Sequence, residues 1–81
     1  MISIFIKGKL RRLHIGANDF GNIDCNRPLF IQLHDGSCLE DVFLDGTINI
    51  CGSIEYCFSK SSDTAGIAII PDKVYGWCYL D

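Results

Sequence analysis

Residues 28–59 read PLFIQLHDGSCLEDVFLDGTINICGSIEYCFS, and the fold is decided there. Two Asp-Gly steps, Asp35-Gly36 and Asp45-Gly46, stand between apolar, β-favouring runs. Asp-Gly suits the positive φ angles of a tight hairpin turn, so the stretch predicts a three-stranded antiparallel meander. Leu29, Ile31 and Leu33 fall on one face of its first strand, and Phe30, Gln32 and His34 on the other. Pairing His34 with Cys38 sets Leu33 opposite Leu39 and Leu29 opposite Phe43. That register gives better cross-strand pairs than the slip that sets Ile31 opposite Glu40. Gly52 interrupts the long run after Gly46 and is expected to bend it.

Upstream, Ile2, Ile4 and Ile6 alternate with Ser3, Phe5 and Lys7, a strand pattern. The apolar phase flips after Gly8, which a bulge or a tight turn would produce. Residues 16–27, GANDFGNIDCNR, read as a loop with Phe20 and Ile23 tucked under the body. Downstream, residues 59–66 are a polar loop, Pro71-Asp72-Lys73 a turn, and short strands span 66–70 and 74–80. No segment carries apolar residues at helical spacing over two turns. The expectation is one all-β domain over residues 1–81, a small antiparallel barrel or sandwich of six to seven short strands.

Composition allows this. The chain of 81 residues is 48% hydrophobic and 21% charged, which suits a folded core rather than disorder. No apolar run reaches the roughly 20 residues of a membrane span, and the start, MISIFIKGK, is too short-cored for a signal peptide. A cytoplasmic protein is expected. Cys25, Cys38, Cys51, Cys57 and Cys78 are an odd set without a Cys-x-x-Cys pair, so free thiols are expected and no metal site. No cofactor motif, phosphate loop or catalytic signature occurs, so no cofactor and no enzymatic activity are expected.

Charge is segregated. Residues 1–27 carry a balance of +3, residues 28–59 a balance of −5 and the remainder −1. Three sets of residues follow as candidate contacts. Asp35, Glu40, Asp41 and Asp45 form an acidic set that could dock on a basic surface of another protein. The simpler account makes Asp35 and Asp45 turn residues and Glu40 a solubilising one. Tyr75, Trp77 and Tyr79 alternate onto one face of the final strand, where aromatic residues serve as interface anchors or as core. Lys7, Lys9, Arg11 and Arg12 could touch phosphates, or could protect an edge strand. A pI near 5.1 argues against nucleic acid.

The thirteen residues FIQLHDGSCLEDV, Phe30 to Val42, resemble the first hairpin of the anticodon-binding OB domain of aspartyl- and asparaginyl-tRNA synthetases, where a strand ending in an Asp-Gly-Ser turn recurs. The resemblance implies an OB-like, nucleic-acid-binding barrel. The rest of the chain departs from that pattern: no helix follows the third strand, and the charge is wrong for RNA.

The function expected is therefore a small protein-binding module, of inhibitor or immunity type, that blocks a basic surface on a partner such as a nucleic-acid-handling complex. A phage or mobile element countering host defence is the context that fits it. Self-association into a homo-oligomer is compatible with the same surfaces. The alternative is a nucleic-acid-binding OB-like or SH3-like small barrel.

Overall fold

The computed structural model describes residues 2–60 and 66–81. Seven strands form one antiparallel sheet: β1 (Ile2–Ile6), β2 (Lys9–Ile15), β3 (Leu29–Leu33), β4 (Cys38–Ile50), β5 (Ser53–Lys60), β6 (Ile67–Ile69) and β7 (Val74–Tyr79). Their spatial order is β1-β2-β7-β3-β4-β5-β6. Among the described residues β1 and β6 have no further strand beside them, and the sheet is not closed into a barrel. The only helical pieces among the described residues are 3-10 turns at Phe20–Asn22 and Pro71–Lys73. No helix there is long and apolar enough to cross a membrane.

The sheet carries apolar residues on both faces. On one face Leu29, Ile31, Val42, Leu44, Phe58, Ile69, Val74 and Trp77 pack under Phe20 and Ile23. The loop over residues 16–27 supplies those last two, as the sequence led us to expect. Phe20 meets Tyr56, Phe58 and Trp77 edge-on, with ring centroids 5.0, 5.7 and 6.2 Å apart, a favourable aromatic geometry.

The opposite face is covered by the β1–β2 ribbon. β2 joins the sheet only through His14 and Ile15, which pair with Trp77 and Gly76. The rest of the ribbon leans across β7 and β3, burying Ile6 and Leu13 against Phe30, Cys78 and Leu80. Gly76 makes this crossing feasible: a Cβ there would lie 2.6 Å from Leu13 Cδ2 and 2.9 Å from the His14 carbonyl oxygen. The result is sandwich-like, with the ribbon as a partial second layer.

Several expectations are corrected. Asp45-Gly46 is not a turn: β4 runs straight through it, Leu44 pairs with Phe58 and Gly46 with Cys57, and Asp45 is the extra residue of a β-bulge. The turn that joins β4 to β5 is Cys51-Gly52, both at positive φ (51° and 85°), as a type I′ hairpin turn requires. Next to the hairpin the register between β3 and β4 is neither of those weighed. Gln32 pairs with Cys38 and Ile31 with Leu39, and a bulge at Asp41 lets Leu29 pair with Val42. The turn is a three-residue one, closed by Gly36 N–H to the Leu33 carbonyl and by Leu33 N–H to the Ser37 carbonyl. Finally, Tyr75 does not share a face with Trp77 and Tyr79. β3 pairs Leu33 with Val74 and Gln32 with Gly76, so Tyr75 is a bulge residue thrown to the ribbon side.

The phase flip at Gly8 is a tight turn, with Lys7 at φ 51° and Gly8 at 74°. β5 continues to Lys60, so the polar loop read over residues 59–66 begins later than expected, and residues 61–65 of it lie outside the described residues.

Candidate partner-binding surfaces

The acidic set does not form one cluster of equivalent groups. The Asp35 carboxylate accepts the Ser37 backbone N–H at 2.8 Å and the Ser37 hydroxyl. Those hydrogen bonds hold its carboxyl below the ordinary carboxylate value. Asp35 is thus a turn-fixing residue, an Asx turn in the hairpin. Asp41 stands at positive φ in its bulge and accepts a 2.7 Å ion pair from Lys7. Glu40 and Asp45 are exposed and make no ion pair among the described residues.

The basic set divides in the same way. Lys7 is tied to Asp41 across the back of the sheet. The Arg11 guanidinium donates to the Ile6 carbonyl at 3.2 Å and to the Tyr79 carbonyl at 3.0 Å, which fastens the ribbon to β7. Of this set, only Lys9 and Arg12 are exposed without an ion pair among the described residues. A phosphate-binding surface built on four cations has therefore lost two of them to the fold. The charge segregation seen along the chain is partly cancelled in space by the Lys7–Asp41 contact.

Trp77 is 3% exposed and belongs to the core. Its indole N–H donates to Asp19 Oδ1 at 3.0 Å, so the polar end of the ring is satisfied. His14, its cross-strand partner, stacks on it with centroids 4.3 Å apart and planes 12° from parallel. The His14 Nδ1 lies 3.3 Å from Asp19 Oδ2. Tyr79 is half-buried. Its hydroxyl accepts the Asp24 backbone N–H at 3.0 Å, and Arg27 lies 3.6 Å over its ring while pairing with Asp81 at 2.8 Å. This Arg27 contact holds the Asp81 carboxyl below its ordinary value. Each of these aromatic residues is already engaged inside the molecule.

The exposed apolar residues are elsewhere, and sequence reasoning missed them. Beyond the Thr47–Tyr56 pair, β4 and β5 continue as a two-stranded arm, since β6 pairs with β5 only at residues 56–58. Ile48, Ile50 and Ile54 on this arm are exposed. Ile48 and Ile50 are on one side and Ile54 on the other, by the alternation of the ladder. The signal for the arm is Asn49, whose Oδ1 accepts the Gly52 N–H at 3.0 Å and so marks the true turn. A second exposed pair, Phe5 at 72% and Leu10 at 68%, sits directly across the β1–β2 ladder.

A shallow hollow of about 220 Å³ lies beside β6, lined by Leu33, Leu39, Ile67, Ile69, Glu55 and Lys73 among others. Among the described residues no three of His, Cys, Asp or Glu gather as metal ligands. The five cysteines are not bonded to one another, and burial pushes the Cys78 thiol above its ordinary value, away from thiolate chemistry.

No family model matches the chain, and no curated protein or solved structure matches it either.

Proposed function

We propose that this chain is a protein-binding module that works by covering a basic surface of a partner, in the manner of an inhibitor or immunity-type protein. The observation that carries this reading is the exposed run along β4 into the β4–β5 arm. There Glu40 and Asp45, without an ion pair among the described residues, lead along one strand into Ile48 and Ile50, with Ile54 on the other side of the arm. Isoleucines held in water on a projecting arm lower the free energy when they are covered, by about 25 cal/mol for each Å² of apolar surface removed. The flanking carboxylates supply orientation and encounter rate toward a cationic target. Binding rather than catalysis is what such a surface offers. Glu40 and Asp45 take the role first given to the whole acidic set, and the isoleucines the role first given to the aromatic row.

The test is capture of the partner from the native host with immobilised chain, followed by measured affinity for the purified partner. Glu40→Lys with Asp45→Lys is expected to abolish capture while the melting temperature is kept. Ile50→Asp is expected to weaken binding at least about tenfold, as loss of an interface anchor does. A nucleic-acid module would instead shift a labelled oligonucleotide at physiological salt and lose it when Lys9 and Arg12 become Ala. That result would replace this reading.

A further inference from the structure

A second stretch of open surface lies along β1, four strands away from β4 in the sheet. β1 is the outermost strand, and its ladder with β2 runs in unbroken register from Ile2–Leu13 to Ile6–Lys9. Edge strands are ordinarily blunted by a charge, a proline or a bulge. ISIFI has none of these. The other edge, β6, is only three residues long. In β1, alternate residues turn their backbone N–H and C=O groups away from β2, where no strand of the described residues meets them. Beside that open backbone, Phe5 and Leu10 stand together in water.

The charge around this edge is of one sign. Residues 2–15 hold Lys7, Lys9, Arg11 and Arg12 and no carboxylate. Lys7 and Arg11 are occupied, so Lys9 and Arg12 remain. Arg12 lies directly across from Ser3, on the face that carries Phe5 and Leu10. The small serine leaves Arg12 open toward a strand laid against β1, about 10 Å away across two strand spacings. A glutamate on that strand, opposite Ser3, can reach the guanidinium over the serine. An apolar residue two positions along then meets Phe5.

The geometry points to β1 as a strand-addition site for an extended segment of a partner protein that alternates acidic and apolar residues. Main-chain hydrogen bonds to the edge would give affinity, and Arg12 with Phe5 would select the sequence. A second copy of this chain is disfavoured as the occupant. Pairing β1 with β1 about a two-fold axis would set both ribbons' cations side by side with no carboxylate between them.

The probe is a capped seven-residue peptide of alternating glutamate and isoleucine, titrated into the full chain and followed by backbone amide NMR and by hydrogen exchange. Perturbation confined to β1 and its neighbours is expected, with new protection of outward amides within residues 2–6. Arg12→Glu is expected to weaken binding about tenfold or more at low salt, since attraction becomes repulsion across the pair. Phe5→Asp, at an exposed position that leaves the fold intact, is expected to remove binding. Several results would overturn the inference: no binding at millimolar peptide, equal binding of the lysine–isoleucine peptide, or shifts centred on β6 or the arm. So would binding confined to anionic lipid vesicles or an oligonucleotide, or concentration-dependent dimerisation through β1 without peptide.

Discussion

Gly76→Ala tests the way the ribbon crosses the sheet. Gly76 has no positive φ, so alanine meets no backbone strain, and its effect comes from the added methyl alone. That methyl would lie 2.6 and 2.7 Å from Leu13 Cδ2 and Cγ and 2.9 Å from the His14 carbonyl oxygen. Leu13 is fully buried, so in a close-packed interior it can yield only by displacing its neighbours. The His14 carbonyl belongs to the pair that joins β2 to β7. Overpacking of this kind costs about 1–3 kcal/mol. Against it stands a gain of about 0.4–1 kcal/mol from the stiffer unfolded chain. The net loss is about 1–2 kcal/mol, which lowers the melting temperature of a domain this size by about 4–16 °C. Thermal and denaturant unfolding followed by circular dichroism measure it. Leu13→Ala alone should cost about 2–5 kcal/mol as a core truncation. Combined with Gly76→Ala it should cost less than the sum of the two, by about 1 kcal/mol or more, because truncating Leu13 removes the clash and the added methyl at position 76 partly fills the space left. Additive losses in the double variant, or a Gly76→Ala protein that melts with the wild type, would refute the crossing.

Asp19→Ala leaves the buried Trp77 indole N–H without an acceptor and is expected to cost about 1–3 kcal/mol, while Asp19→Asn, which keeps an oxygen, costs little; fluorescence of Trp77, the single tryptophan, reads both unfolding curves, and equal curves would sink the assignment. Cys51→Asn is expected to stabilise by about 0.5–1 kcal/mol, since asparagine tolerates the left-handed conformation that cysteine holds at φ 51°; an unchanged or lower melting temperature counts against the turn. Asp35 and Asp81 both have carboxyls held below the ordinary 3.8, so the stability they contribute is present above that value and is lost as pH falls through their folded-state values. Carboxyl NMR titration should show Arg27→Ala returning Asp81 toward 3.8 and leaving Asp35 in place, with Ser37→Ala doing the reverse.

What was legible in the sequence was whatever has a period. Alternation of Leu29, Ile31 and Leu33 against Phe30 identified the two faces of β3, and the tuck of Phe20 and Ile23 followed from two apolar residues in a polar loop. What was not legible were single inserted residues. Asp41, Asp45 and Tyr75 each shift a ladder by one, and a shift of one moves every later side chain to the other face. Their effect depends on strands far away in the chain, so no local pattern records it. The Asp-Gly rule failed at Asp45-Gly46 because a glycine in a strand serves a bulge as well as a turn. The real turn used cysteine, a residue with no turn preference. The candidate site suffered more: a lone Lys and a lone Asp are both free charges on paper, and only the crossing of the ribbon shows that Lys7 and Asp41 neutralise each other. The exposed isoleucines of the arm carry no local mark of exposure, because where β3 and β6 stop pairing is set by distant strands.

The place of β7 has a consequence for how the chain reaches this fold. β7 is late in sequence yet sits between β2 and β3, and the contact that fastens the ribbon joins Arg11 to Tyr79, 68 positions apart. During synthesis the β3–β4–β5 meander can pair as soon as it emerges, because its neighbours are consecutive. The ribbon cannot: its docking strand does not yet exist. Until residues 74–80 are made, Phe30 and Leu13 have no Cys78 or Leu80 to cover them, and the inner edge of β3 stays unpaired. Pairings so distant in sequence put folding in the milliseconds-to-seconds range rather than microseconds. For that interval the nascent chain exposes an apolar hairpin and an unprotected strand edge, which is the state a holdase chaperone recognises and the state in which crowded chains aggregate.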